Sequence, residues 1–200
     1  MDNIFAAVVD METTGLNANE NVPLEIAVAI IDKDGEVLDS TECLIWEMRD
    51  DFQNAVGRAQ SNDFVNAMHT KSGLWEDLNN LNHVDLSIYS RTAVDDYLTK
   101  VLRAWGCEQG KVPMLGNSIG SLDRPFALVH LPKFNEHLSY RNIDMSTVKE
   151  LVKAHNPKLW ENLYPIIGDK SNATHRAIDD VHACIREYQA YIENFFFIED

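Results

Sequence analysis

Asp10 and Glu12 stand two positions apart at the end of a run of small apolar residues, in AAVVDMETTGL (residues 6–16). Residues 4–9 (IFAAVV) are apolar, partly β-branched and bounded by turn formers, which predicts a short strand buried on both faces. Side chains at i and i+2 of a strand share a side, so the two carboxylates face the same way where the strand emerges. Like charges this close repel, and burying either one requires a cation or a donor. Strand ends also carry solvated acids, so the pair alone leaves a functional and a bland reading open.

Further acids and one histidine recur at positions that should face the core. Asp123 follows GNSIGSL, and His175 precedes Asp179 and Asp180 in THRAIDDVHACIREY. Ala177, Val181, Cys184, Ile185, Tyr188, Ile192 and Phe195 fall on one face of a helix over about residues 175–197. At about 100° per residue, Asp180 lies roughly 90° from the centre of that face and Asp179 nearly opposite it. Asp180 is therefore the acid expected at the core edge, and Asp179 the one in water.

Carboxylates converging from separate elements suit a pair of divalent cations about 3.5–4 Å apart, which activate water and stabilise a leaving phosphodiester oxygen. Oxygen donors favour Mg²⁺ or Mn²⁺. A histidine beside them has the pKa of a general base. A zinc site on His175 and His182 would lack a cysteine or third ligand.

Several elements must position these groups. Residues 24–31 and 36–46 read as a second and third strand joined by a turn at Lys33-Asp34-Gly35, so the chain opens as an antiparallel meander. Residues 50–82 read as helical pieces, and residues 89–105 have helical spacing. Residues 112–115 predict a fourth strand before a loop, a helix follows around 122–130, and residues 139–145 predict a fifth strand. Thr147 to Glu150 has the capping-box spacing of a helix start. The order predicts a single mixed α/β domain over residues 1–200.

The chain has 200 residues, 17 Lys and Arg against 32 Asp and Glu, and a net charge of −15. A protein that holds long nucleic acid by its backbone needs a basic surface, so any nucleic acid handled here should be short and bound locally with metal cations. No run is apolar enough to span a membrane. The chain enters its first strand without a basic leader, and its three scattered cysteines form no disulfide or zinc pattern. Both point to a cytoplasmic protein.

DMETTGL fits the first motif, D-x-E-x-T-G-L, of the DEDDh family of 3′-to-5′ exonucleases, and HRAIDD fits its third, H-x-A-x-x-D. Within that family the chain resembles the oligoribonuclease group. HTKSGL (69–74), GNSIGSLDRPF (116–126), YRNIDMSTVKEL (140–151) and HRAIDD (175–180) follow that group's segments in order and at about its spacing. The resemblance implies a ribonuclease H-like fold and removal of nucleotides from the 3′ ends of short RNA. Asp10, Glu12, Asp123 and Asp180 would then hold two cations, Mg²⁺ or Mn²⁺, with His175 as base. Leu16 would wedge against the terminal bases, and Ser118 would help at the phosphate. Arg141, Ser146 and Thr147 would grip a 5′ phosphate, and Tyr140 would reach in across a homodimer. Two departures stand out: one extra residue before Asp123, and Phe64 where the group commonly has a tryptophan stacking on a base.

Two other functions fit parts of this pattern. A proofreading or repair exonuclease acting on DNA would use the same metal-binding residues, because sugar identity is read by other contacts. A non-catalytic dinucleotide-binding protein could keep the fold, although its acids and His175 would then have no reason to be intact.

Overall fold

The computed structural model describes residues 3–81, 85–167 and 174–195. The chain begins with β1 (Ala6–Thr13), β2 (Pro23–Ile31) and β3 (Val37–Leu44). Four helices follow: α1 (Asp50–Gln60), α2 (Asp63–Lys71), α3 (Leu74–Asn80) and α4 (Arg91–Ala104). β4 (Met114–Gly116) leads to α5 (Asp123–His130) and α6 (Pro132–His137). β5 (Asn142–Asp144) leads to α7 (Met145–His155), α8 (Pro157–Ile167) and α9 (Ala177–Phe195). The five strands form one sheet in the order β3-β2-β1-β4-β5, with β1–β2 and β2–β3 antiparallel and β1–β4 and β4–β5 parallel. This is the mixed sheet with an antiparallel start expected from the sequence.

The alternation of β1 divides the core in two. Ala7, Val9 and Met11 face one cluster, with Phe52 and Val56 of α1, Leu74 and Leu78 of α3, Leu98 of α4 and Phe126 of α5. Ala6 and Val8 face the other, with Ala27, Ala29 and Ile31 of β2, Met145 and Val152 of α7, and Ala177, Val181, Cys184 and Ile185 of α9. The strand is buried on both faces because helices cover both sides of the sheet. By the same period of two, Asp10, Glu12 and Glu25 belong to the face that packs on α9.

Four sequence expectations are corrected. The first strand runs on to Thr13 because β2 is long enough to pair with it, Glu12 standing opposite Glu25. Helix α7 starts at Met145, capped by Asp144, which accepts the Ser146 N–H at 3.0 Å. Asp144 outcompetes the Thr147–Glu150 spacing because it also serves the amides of Ser118 and Gly120. Helices α6 and α8 lie where no element was expected, and Pro132 and Pro157 occupy their first turns, where no N–H is needed. Residue 82 of the expected helical stretch, residues 196–197 of the last helix and the Phe195 side chain lie outside what is described.

Two glycines matter for geometry. Gly35 holds the β2–β3 turn at φ +83°, as expected there. A Cβ on Gly116 would sit 2.7 Å from the Val9 carbonyl oxygen, so a larger residue would push β4 away from the end of β1. Among the described residues, no helix is long and apolar enough to cross a membrane.

Candidate active site

The carboxyl end of β1 opens into a cleft of about 1210 Å³, lined by Asp10, Glu12, Leu16, Phe64, Ser118, Ser146, His175 and Asp180 among others. That is somewhat above the roughly 300–1,000 Å³ of pockets that bury drug-sized molecules. Strand β1 supplies Asp10 and Glu12 from one face, and the first turn of α9 supplies Asp180. Asp180 is partly buried at the cleft, whereas Asp179 is exposed and accepts a 2.7 Å hydrogen bond from the Thr174 hydroxyl. Ligand atoms of Glu12, His175 and Asp180 all lie within 4.8 Å of one another.

Asp123 opens α5, beneath this group. Its carboxylate accepts the Met11 N–H at 2.9 Å, which fixes it against the strand that carries the other two acids. The loop before it ends in a turn closed by the Arg124 N–H donating to the Ile119 carbonyl five residues back (2.9 Å). Asp123 thus remains buried and among the strongest charges felt by Asp10.

The electrostatics of the floor are those of a site short of positive charge. Burial pushes the Asp10 carboxyl well above the usual carboxylate range, and repulsion from Asp123, Asp180, Glu12 and Glu25 adds to it. Burial, then Asp180, Glu25 and Asp123, raises Glu12 to about 8, while Arg176 opposes the shift. Asp123 is also raised, first by burial, with its backbone donors opposing. Carboxylates this crowded hold protons at neutral pH unless cations replace them. Hard oxygen donors from separate rigid elements, with His175 alongside, fit divalent cations of the Mg²⁺ type.

Some parts of the site were not legible beforehand. His69, on α2, is fully buried and lies across from Glu12, with Nδ1 3.7 Å from Oε2. Its Nε2–H donates to the Thr13 carbonyl at 2.9 Å, so Nδ1 presents a lone pair toward Glu12. Burial lowers its pKa and keeps it neutral. The HTKSGL segment was the only trace of it in the sequence. On the other wall, Lys149 and Glu187 form a nearly buried ion pair (3.1 Å), and both bond Asn117. This holds the 117–118 turn against α7 and α9.

The substrate-contact candidates divide into two groups. Ser118 takes a left-handed φ of +57°, and its amide donates to Ser146 Oγ at 2.9 Å and Asp144 Oδ1 at 3.2 Å. Ser118, Ser146 and the adjoining exposed Thr147 therefore gather at the carboxyl end of β5. Leu16 and Phe64 project from the cleft wall, largely exposed. Tyr140 and Arg141 are also exposed but precede β5 at its other end, with the guanidinium 5.2 Å from the tyrosine ring centroid.

A profile of the RNase_T exonuclease family matches residues 7–188. The oligoribonuclease of Aeromonas hydrophila is 34% identical over 188 residues, covering 94% of this chain and 93% of that protein. The mitochondrial oligoribonuclease of Mus musculus is 32% identical, covering 94% and 72%. Among solved structures, exonuclease I of Methylocaldum szegediense superposes with a TM-score of 0.60 at 14% identity. The zinc-bound E. coli exonuclease I–ssDNA complex gives 0.59, also at 14%. The chain covers 41% and 42% of those two chains, and at this identity the likeness is one of fold.

Proposed function

We propose that this chain, which belongs to the RNase_T exonuclease family and is a 3′-to-5′ exoribonuclease related to the oligoribonucleases, degrades 5′-phosphorylated oligoribonucleotides as short as dinucleotides to mononucleotides, as a homodimer. The observation that carries this is the convergence of Glu12, His175 and Asp180 within 4.8 Å, beside Asp10 and above Asp123, in a cleft sized for a few nucleotides.

Asp10, Glu12, Asp123 and Asp180 would hold two divalent cations, Mg²⁺ or Mn²⁺, which polarise the terminal phosphodiester and lower the pKa of the attacking water. His175 takes the proton from that water; its ring lies beside Glu12 and Asp180, on the open side of the cleft. Leu16 separates the last two bases and Phe64 stacks on one of them, each presenting an exposed apolar face. Ser118 contacts the phosphate. Arg141, Ser146 and Thr147 bind the 5′ phosphate, the two hydroxyls at the N-terminus of α7 where an anion is favoured. Tyr140, exposed on its own chain, reaches in from the partner subunit of a homodimer. The net charge of −15 supports short substrates, since it offers no basic track for a long strand.

The test is turnover of 5′-phosphorylated RNA and DNA oligomers of two to about twenty nucleotides, side by side, with Mg²⁺, Mn²⁺ or chelator. Rapid metal-dependent release from RNA dinucleotides is expected. Equal rates on a twenty-nucleotide strand by a monomer would overturn the short-substrate reading, and preference for DNA would replace it with a DNA exonuclease.

A further inference from the structure

His175 is one of two non-glycine residues with positive φ among those described (+53°). An L-residue in this region is disfavoured by contact between its Cβ and backbone, and stays there only when its surroundings dictate it. The surroundings are unusually specific. The next residue, Arg176, donates from Nη2 to Glu25 Oε1 at 2.7 Å and from Nε to both Glu25 oxygens at 3.1 and 3.2 Å. Its Nη1 donates to Asp77 Oδ2 at 2.7 Å. Glu25 also accepts the Ala177 N–H at 2.8 Å, so a β2 carboxylate caps the start of α9. The Arg176 carbonyl accepts the Asp179 and Asp180 amides at 3.0 and 3.1 Å. One side chain thus ties the turn before α9 to β2 and to α3.

Glu25 faces α9 opposite Glu12 and is almost fully buried. With three guanidinium contacts and a helix amide on its oxygens, it is occupied as an anchor and is not a fifth ligand. Asp77 adds a second anchor, so two elements, β2 and α3, hold all three nitrogens of one planar guanidinium that cannot rotate independently.

We propose that Arg176, clamped by Glu25 and Asp77, is the positioning residue that holds His175 in its left-handed conformation with the imidazole at the cleft. Arg176 acts through His175. The inference rests on the reading of His175 as the base.

The test is a double-mutant cycle on a 5′-phosphorylated diribonucleotide, comparing R176Q in the native and H175A backgrounds. A misplaced base costs roughly 10²-fold. R176Q alone is expected to lower kcat by about that factor with KM changed less than about threefold, and in the H175A background to cost less than about threefold more. R176K keeps the charge but not the fork and should not restore kcat. In the metal-free protein, the His175 ring signals, identified by their loss in H175A, should shift or broaden in R176Q while those of the buried His69 hold. An equal R176Q factor in both backgrounds, a loss confined to KM, or unchanged His175 signals overturns the proposal. Should R176Q fail to fold, D77N leaves the Glu25 fork intact and should give a smaller kcat loss that disappears in H175A; persistence there overturns it equally. Native turnover by H175A would instead overturn the base reading, and this inference with it.

Discussion

Glu12 and Asp123, beneath the cleft, are 6% and 1% exposed, while Leu16 and Phe64, which would meet the bases, and Tyr140, which would reach in from a partner subunit, are 82%, 76% and 80% exposed. The floor is held by bonds to other parts of the fold: Asp123 to the Met11 amide, Glu12 beside buried His69, and the turn before α9 clamped on Glu25. The exposed group is held by little, and the described contacts of Tyr140 amount to its neighbour Arg141. Groups that must stabilise a transition state gain from being fixed before substrate arrives, because nothing is then spent on reorganising them during reaction. Apolar groups that bind by covering a base lose little by waiting in water, and their burial on binding contributes affinity.

The contrast can be broken most severely at the floor. Asp10→Ala or Asp123→Ala should abolish nucleotide release, as should chelator, while both variants stay folded and melt at or above the native temperature because a repelling carboxylate is gone. Calorimetry beside the turnover assay checks both halves; full activity of either variant would refute the assignment. His175→Ala should lower kcat by roughly 10²–10⁴ with binding nearly unchanged. Asp180→Ala should be severe, with Asp179→Ala almost silent, because Asp180 brings a ligand atom within 4.8 Å of those of Glu12 and His175, while Asp179 is exposed at the rim.

At the periphery the effects should move to binding. Arg141→Ala should erase the difference in affinity between phosphorylated and unphosphorylated dinucleotide, measured by titration calorimetry. Tyr140→Ala mixed with Asp10→Ala subunits should recover part of the activity if the tyrosine acts across a dimer, and none if it acts within its chain. Phe64→Ala should cost about 1–3 kcal/mol of binding, the span for losing one base–aromatic stack, with kcat changed far less. A kcat loss without a KM change there would erase the distinction between the two regions.

The smallest effect is one of stability. Glu12 at about 8, with Asp10 and Asp123 also raised, binds protons more tightly folded than unfolded. The stabilisation is full below the unfolded carboxylate range and is lost as pH rises toward about 8. The metal-free protein should therefore melt lower at pH 8 than at pH 5, and Asp10→Ala should flatten that slope. A melting temperature that rises with pH in chelator would contradict the raised carboxylates.

How legible each region was follows from how local its causes are. Asp10 and Glu12 were readable because a strand's period of two is a property of a few consecutive residues, and Asp180 was separable from Asp179 because 3.6-residue spacing is too. The partner of Asp123 was not readable, since the Met11 amide lies 112 positions away. The Arg176–Glu25 clamp spans 151 positions, and no pattern within either segment announces it. Helix α7 shows a local signal overruled by tertiary contacts: Thr147 and Glu150 have the right spacing, yet Asp144 wins because two amides from the Ser118 turn converge on it. Tyr140 and Arg141 were legible only through resemblance, as exposed residues with no period and no partner element.

The span of these contacts has a consequence in time. Strand β1, with its two acids, is synthesised before α9 with Asp180 and the preceding turn with His175, and more than 160 residues separate them. Contacts of such long range form late, since they close the largest loops. Until α9 docks, Glu25 has no guanidinium and the acids have no histidine beside them. A chain made only as far as α8 therefore carries the carboxylates of β1 without the histidine and the aspartate that come with α9.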